Sequence, residues 1–121
     1  FRSVVPKFAM VAPPEAGGEG GHFASRYFTQ YGKCHPSYAV SGSICASSAS
    51  AVPGSTVNSV VQPDGRYPDL VQIEHASGVI DVAMDMRVVD GQLEVISGGS
   101  IRTARRLFAG QVYVPASVWS G

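Results

Sequence analysis

Hydrophobic and polar positions along this chain fall into short strand-like runs on either side of one long uncharged stretch. From Pro36 to Val52 there is no charged residue, and apart from Tyr38 almost nothing larger than Val or Ile. Pro36 suits a first helical position, where its missing N–H costs nothing, while Pro53 and Gly54 supply a stop. The pattern predicts a slim helix over Pro36–Val52, ~25 Å long at ~1.5 Å per residue. Without a charged stripe it is expected to be buried on most sides, its Ser hydroxyls bonding back to carbonyls one turn earlier. Before it, Ser3 to Ala12 reads as a strand that Pro6 places at an edge or a bulge, Pro13 to Gly21 as a turn-rich loop, and His22 to Thr29 as a second strand. After it, Ser55 to Val61, Leu70 to Glu74 and Val79 to Arg87 read as strands, with Gln62 to Asp69 a turn. Asp90-Gly91 is a strong hairpin signal with Leu93 to Ser97 as the return strand. Gly98-Gly99 permits a bulge or a close approach, Ile101 to Phe108 fits a strand or one short helix with strand favoured, and Ala109-Gly110 leads into Gln111 to Pro115 as a further hairpin. The fold class that follows is α+β: a strongly curled, mostly antiparallel sheet wrapped around one central buried helix.

Length and charge narrow the classes. With 121 residues the chain fits a single domain over 1–121, with no internal repeat or linker. The formal net charge is zero, with 9 basic and 9 acidic residues, which argues against nucleic acid as a partner. The Ser-rich central stretch falls short of the ~20 strongly apolar residues of a membrane span. Cys34 and Cys45 would lie ~15 Å apart along a helix, beyond the ~7 Å limit for a disulfide. They are expected to be free thiols, which suits a reducing, cytoplasmic compartment, with Cys45 a small core residue. No leader or targeting segment is visible, and a start at Phe1 suggests a processed or incomplete product.

Chemistry concentrates where the pattern breaks. There is no glycine-rich phosphate loop, no paired-Cys zinc motif and no nucleophile elbow. His22, His35 and His75 have no metal-ligand spacing, so metal-independent chemistry is expected. A helix N-terminus offers free N–H groups to an anion, and Gly32, Lys33, Cys34 and His35 stand at that entrance. Cys34 there would have a favoured thiolate. Lys7 lies in an apolar strand and is read either as outward-facing or as functional. His75-Ala76-Ser77-Gly78 interrupts two strands, although Gly78 alone would account for a tight turn. Arg102, Arg105 and Arg106 form a cationic group, of which Arg105 and Arg106 read as a solvated face. Lys7, Lys33, Arg102 and a helix N-terminus together suit an anionic small molecule, since Arg grips carboxylates bidentately and Lys acts as a point charge.

Four segments, in order, resemble the PrpF family of aconitate and methylitaconate isomerases, which share the diaminopimelate-epimerase-like fold. They are Pro6 to Pro14, Gly32 to Cys45, Glu74 to Ile80 and Arg102 to Pro115, and the helix runs on into Val52 to Asn58 as the family's does. The resemblance implies two similar halves, each a sheet curled around a helix with the active site between them, of which this chain is the C-terminal one. The implied activity is a cofactor-independent allylic proton shift, a double-bond migration or cis/trans change in a small unsaturated di- or tricarboxylate. The proton-transfer lysine and cysteine would belong to an N-terminal half, on the same protein or another chain. The catalytic residues in this chain are therefore unknown. Its share would be carboxylate binding by His35, Lys7, Tyr31, Gly32, Lys33 and Ser37, with Cys34, Ser77 and Arg102 as possible additions. Oligomeric state stays open.

Two departures bear on this. The related epimerases carry a catalytic cysteine at the start of this helix, whereas Ala39 to Ser41 contains none, which speaks against two-base racemisation. Tyr31 stands where the family more often has Met, and Ala76 where it more often has Pro, so substrate identity is left open. Two rival expectations remain: a non-catalytic binding or assembly module that keeps the fold, and a cysteine-dependent epimerase using Cys34.

Overall fold

The computed structural model describes residues 7–15, 21–29, 32–61 and 68–119. Its elements are β1 (Phe8–Ala12), β2 (Phe23–Phe28), α1 (Val40–Ser50), β3 (Leu70–His75), β4 (Gly78–Val89) and β5 (Gln92–Ser100). The strands form one five-stranded sheet in the order β1-β2-β3-β4-β5. β2 and β3 pair in parallel, and the other neighbours pair antiparallel. That parallel pair exists because α1 and the turns after it carry the chain back across the sheet, as a parallel connection requires. The α+β architecture is the expected one, a curled sheet with one helix seated against it.

The core lies between sheet and helix. Phe23, Tyr27, Val71, Ile73, Ile80, Val82 and Met84 alternate along β2, β3 and β4 and meet Tyr38 and Ala46. On α1 the buried residues are Ser43, Ala46, Ser47 and Ser50, a single face at helical spacing. Their small size lets the sheet come close. A Cβ placed on Gly42 would lie 2.5 Å from Tyr27 Cε2, and one on Gly98 would lie 2.8 Å from Ile44 Cγ2. The expected back-bonding of serines holds: Ser43 Oγ donates to the Val40 carbonyl (2.8 Å), Ser48 Oγ to that of Ile44 (2.9 Å) and Ser50 Oγ to that of Ser47 (2.7 Å). Ser47 Oγ is buried with no partner among the described residues.

Several expectations change. The helix begins at Val40 rather than Pro36 because the preceding residues are committed elsewhere. The Ser37 amide bonds back to His35, and Tyr38 is drawn into the core. The covering of the helix is also partial, since Ser41 and Cys45 face outward, so Cys45 is exposed rather than a core residue. Absence of charge permits burial but does not require it. Ser55 to Val61 is not a strand but a run of turns. The Ser55 hydroxyl donates to the Ala49 carbonyl and accepts the Asn58 N–H, while Asn58 Nδ2 donates to the Ser50 carbonyl (2.8 Å). These side chains close off the helix C-terminus, and local polar bonds outweigh β-propensity there. Pairing runs unbroken through Gly98-Gly99, and the irregularity falls opposite the Asp85–Met86 step of β4, where Ile96 of β5 is the extra residue. Residues 101–119 form no strand and are exposed throughout, so the strand and hairpin expected after Ile101 are absent and Arg102 lies on no strand face. Residues 3–6 of the first expected strand and most of the Gln62–Asp69 turn lie outside the described residues.

Candidate functional site

The site is assembled where β2 loses one neighbour and gains another. β3 pairs with β2 only at Phe23 and Ala24 and ends at His75. Beyond that point the segment before the helix takes over the vacated edge. Cys34 bridges Phe28 in antiparallel fashion, and the His35 N–H donates to the Tyr27 carbonyl (2.7 Å). A tight turn makes this possible: the Thr29 N–H bonds the Lys33 carbonyl (2.8 Å), with Gly32 at φ +70°, a conformation suited to glycine. The end of β3 therefore abuts the segment Cys34–Ser37.

Four polar residues meet at this junction. His35 Nδ1 accepts the Ser37 N–H (3.1 Å), and His75 Nδ1 accepts the Ser77 N–H (3.2 Å). An Nδ1 that accepts leaves the ring proton on Nε2. His75 Nε2 lies 3.4 Å from Ser37 Oγ, a long hydrogen bond in which the ring is the donor. Ser77 Oγ donates to the Pro36 carbonyl (2.7 Å), tying the β3–β4 turn to the segment before the helix. The His35 ring also packs edge-on to Tyr27, with centroids 6.5 Å apart. His75 is held below the ordinary histidine range, first by its partial burial and then by the electrostatic influence of Arg26, His35 and Arg102.

Below the junction, Tyr38 anchors the segment. It is 1% exposed, and its hydroxyl lies 2.9 Å from Ser25 Oγ, which itself donates to the Met10 carbonyl (2.8 Å). Tyr38 is therefore the donor in that pair, and burial pushes its pKa above 10.0. On the far side of β2, Lys7 precedes β1 and edges a groove of about 440 Å³ between β1, the first turns of α1 and Val57. Phe8, Tyr27, Gly42 and Cys45 line the same groove. Since β1 and the Cys34–His35 segment flank β2, Lys7 and His35 stand about two strand spacings apart, ~10 Å. The helix start, with Ala39 at its cap, has no side-chain capping partner among the described residues.

The structure thus brings together His35, Ser37 and Ser77, with the charge of Arg102 within reach of His75. It leaves Lys7 and Lys33 on the surface at the same end of β2, and gives Gly32 a turn-forming role. Tyr31 lies outside the described residues. Cys34 is exposed, and its thiol faces the His35 carbonyl at 3.6 Å, an acceptor that cannot take up its proton. Sequence reasoning missed His75 as a member of the site; the signal was its place in the break between β3 and β4. His22 serves structure, its Nδ1 accepting the Gln72 N–H (3.0 Å). Among the described residues no His, Cys, Asp and Glu grouping could hold a metal ion, and no helix is long and apolar enough to cross a membrane.

A curled half-barrel of five strands carrying one helix is an arrangement of the diaminopimelate-epimerase-like class. Residues 1–115 match the family described as PrpF protein, and the chain belongs to that family. It is 34% identical over 112 residues to "Putative isomerase YbhH" of Escherichia coli (strain K12), covering 93% of this chain and 30% of that protein. It is 35% identical over 111 residues to "(4E)-oxalomesaconate Delta-isomerase" of Novosphingobium sp. (strain KA1), covering 91% of this chain and 29% of that one. Among solved structures, that of methylitaconate-delta-isomerase superposes with a TM-score of 0.61 at 29% identity, over 81% of this chain and 29% of that chain. The chain spans about 30% of the length of the curated relatives it matches.

Proposed function

We propose that this chain supplies the carboxylate-binding side of an isomerase that moves a double bond by allylic proton transfer in a small unsaturated di- or tricarboxylate such as aconitate or a methylitaconate. Family membership and the relatives' names support an isomerase. The observation that carries the carboxylate reading is the His35–Ser37 arrangement. The Ser37 amide occupies His35 Nδ1 and so presents Nε2–H as a donor, at the end of β2 where Lys7 and Lys33 also stand. Removing a proton next to a carboxylate spreads negative charge over that carboxylate. Fixed donors that bind it more tightly as the charge grows lower the barrier. The base and acid that take and return the proton are assigned to a companion lobe, the N-terminal half, so the chain acts as the C-terminal half of a two-lobed site and needs no cofactor.

The test is exchange. The protein at its full native length is incubated with trans-aconitate and with methylitaconate in D₂O and followed by proton NMR. Deuterium entering the allylic positions together with double-bond migration supports the reading. Lys7→Ala and His35→Ala are each expected to lower kcat/KM by ~10–100-fold, as loss of one charge-assisted contact does. Turnover untouched by both substitutions contradicts it.

A further inference from the structure

The junction holds a residue that the carboxylate reading has not used. His75 sits at the end of β3, half-buried, and bonds on both of its ring nitrogens. The Ser77 N–H at Nδ1 (3.2 Å) fixes the Nε2–H tautomer, so toward Ser37 Oγ (3.4 Å) the ring can only donate. A serine oxygen that receives a proton from one side directs its own O–H elsewhere. Among the described residues Ser37 Oγ has no hydrogen-bond partner besides His75. The Ser37 amide, meanwhile, fixes His35 in the same tautomer (3.1 Å). Two hydrogen-bond donors, His35 Nε2–H and Ser37 O–H, are thereby left available on one short segment. Ser77 Oγ, on the Pro36 carbonyl at 2.7 Å, keeps that segment at a fixed distance from His75.

We propose that His75 is a positioning residue of the carboxylate site: its Nε2–H donates to Ser37 Oγ and so turns the Ser37 hydroxyl proton outward, toward an oxygen of the bound carboxylate. This rests on the carboxylate reading and adds to it a donor, Ser37 O–H, and the residue that aims it. Its chemistry selects for an acceptor. A ligand carboxylate or carbonyl oxygen takes both protons, whereas an ammonium or amide N–H at the same place meets two donors and is excluded.

The test has two arms on the protein at its full native length. Long-range proton–nitrogen correlation spectra of the histidine rings are expected to show Nε2–H at both His35 and His75 at neutral pH. Binding of trans-aconitate, measured by calorimetry, is then compared in wild type, Ser37→Ala, His75→Phe, His75→Gln and the Ser37→Ala/His75→Phe double variant. His75→Phe is expected to weaken binding ~10-fold in the wild-type background and less than ~2-fold once Ser37 is alanine. His75→Gln, whose amide N–H stands near the position of Nε2, is expected to stay within ~3-fold of wild type. A purely structural role for His75 would give equal losses in both backgrounds and no rescue by Gln, and that result overturns the proposal. A His75 ring protonated at Nδ1, in a protein that still binds trans-aconitate, overturns it alone. A wild-type protein that binds no trans-aconitate refutes the carboxylate reading, and this proposal falls with it.

Discussion

Gly42→Ala tests how the helix is seated. Two effects oppose each other. In an isolated helix, alanine is better than glycine by ~1 kcal/mol. Here the added methyl would lie 2.5, 2.9 and 3.0 Å from Cε2, Cζ and Cδ2 of Tyr27. Those are atoms of a ring rather than the tip of a flexible chain. The ring is 7% exposed, lies 5.2 Å from that of Tyr38 and touches His35, so it has little room to retreat. Overpacking a filled core costs ~1–3 kcal/mol, and three close ring contacts favour the upper half of that range. Subtracting the propensity gain leaves a net loss of ~1–2 kcal/mol. For a domain of this size that lowers Tm by roughly 4 °C per kcal/mol. Thermal and urea unfolding followed by circular dichroism measure it, with Ser41→Ala on the exposed face as the control. A Gly42→Ala protein more stable than wild type would show propensity acting unopposed, and the close approach of α1 to β2 would be refuted.

Two further predictions follow from the same contacts. Tyr38→Phe removes the donor to Ser25 while Ser25 keeps its bond to Met10, so a loss of ~1 kcal/mol is expected, read as a lower urea midpoint at unchanged m-value; no change would mean the buried pair contributes nothing. His75 has a folded-state pKa below its ordinary 6.5, so the unfolded chain binds more protons in mild acid. Its contribution to stability is complete above pH 6.5 and is lost as pH falls through the folded value, so His75→Gln is expected to flatten the acid limb of the stability–pH curve.

Much of the fold was legible because its signals are local. Asp90-Gly91 demanded a hairpin, and both residues take positive φ (51° and 78°), as such a turn requires. Alternation marked β3 and β4 because one face of each meets the core. The misread segments share a cause: their fate is decided by partners far away in the chain. Ser55 to Val61 has strand composition, but Ser55 and Asn58 are claimed by the end of α1. The Ile101–Val114 segment has strand composition, but after the Ile101 N–H bonds the Asp81 carbonyl it pairs with no strand among the described residues. The helix start moved because Tyr38 is claimed by Ser25 on β2. In the site, His35, Ser37 and Lys33 could be found from their place before a helix. His75 could be seen only as a break in a pattern, since its contact with Ser37 spans 38 positions.

The central claim is that the segment from Gly32 to Ser37, together with Lys7, holds a carboxylate. An amide nitrogen–proton spectrum of the ¹⁵N-labelled protein, titrated with trans-aconitate, tests it most directly. Saturable shifts confined to Lys7, residues 32–37 and the first turn of α1 are expected, abolished by His35→Ala. Shifts centred on another surface, or none at millimolar ligand, would contradict it.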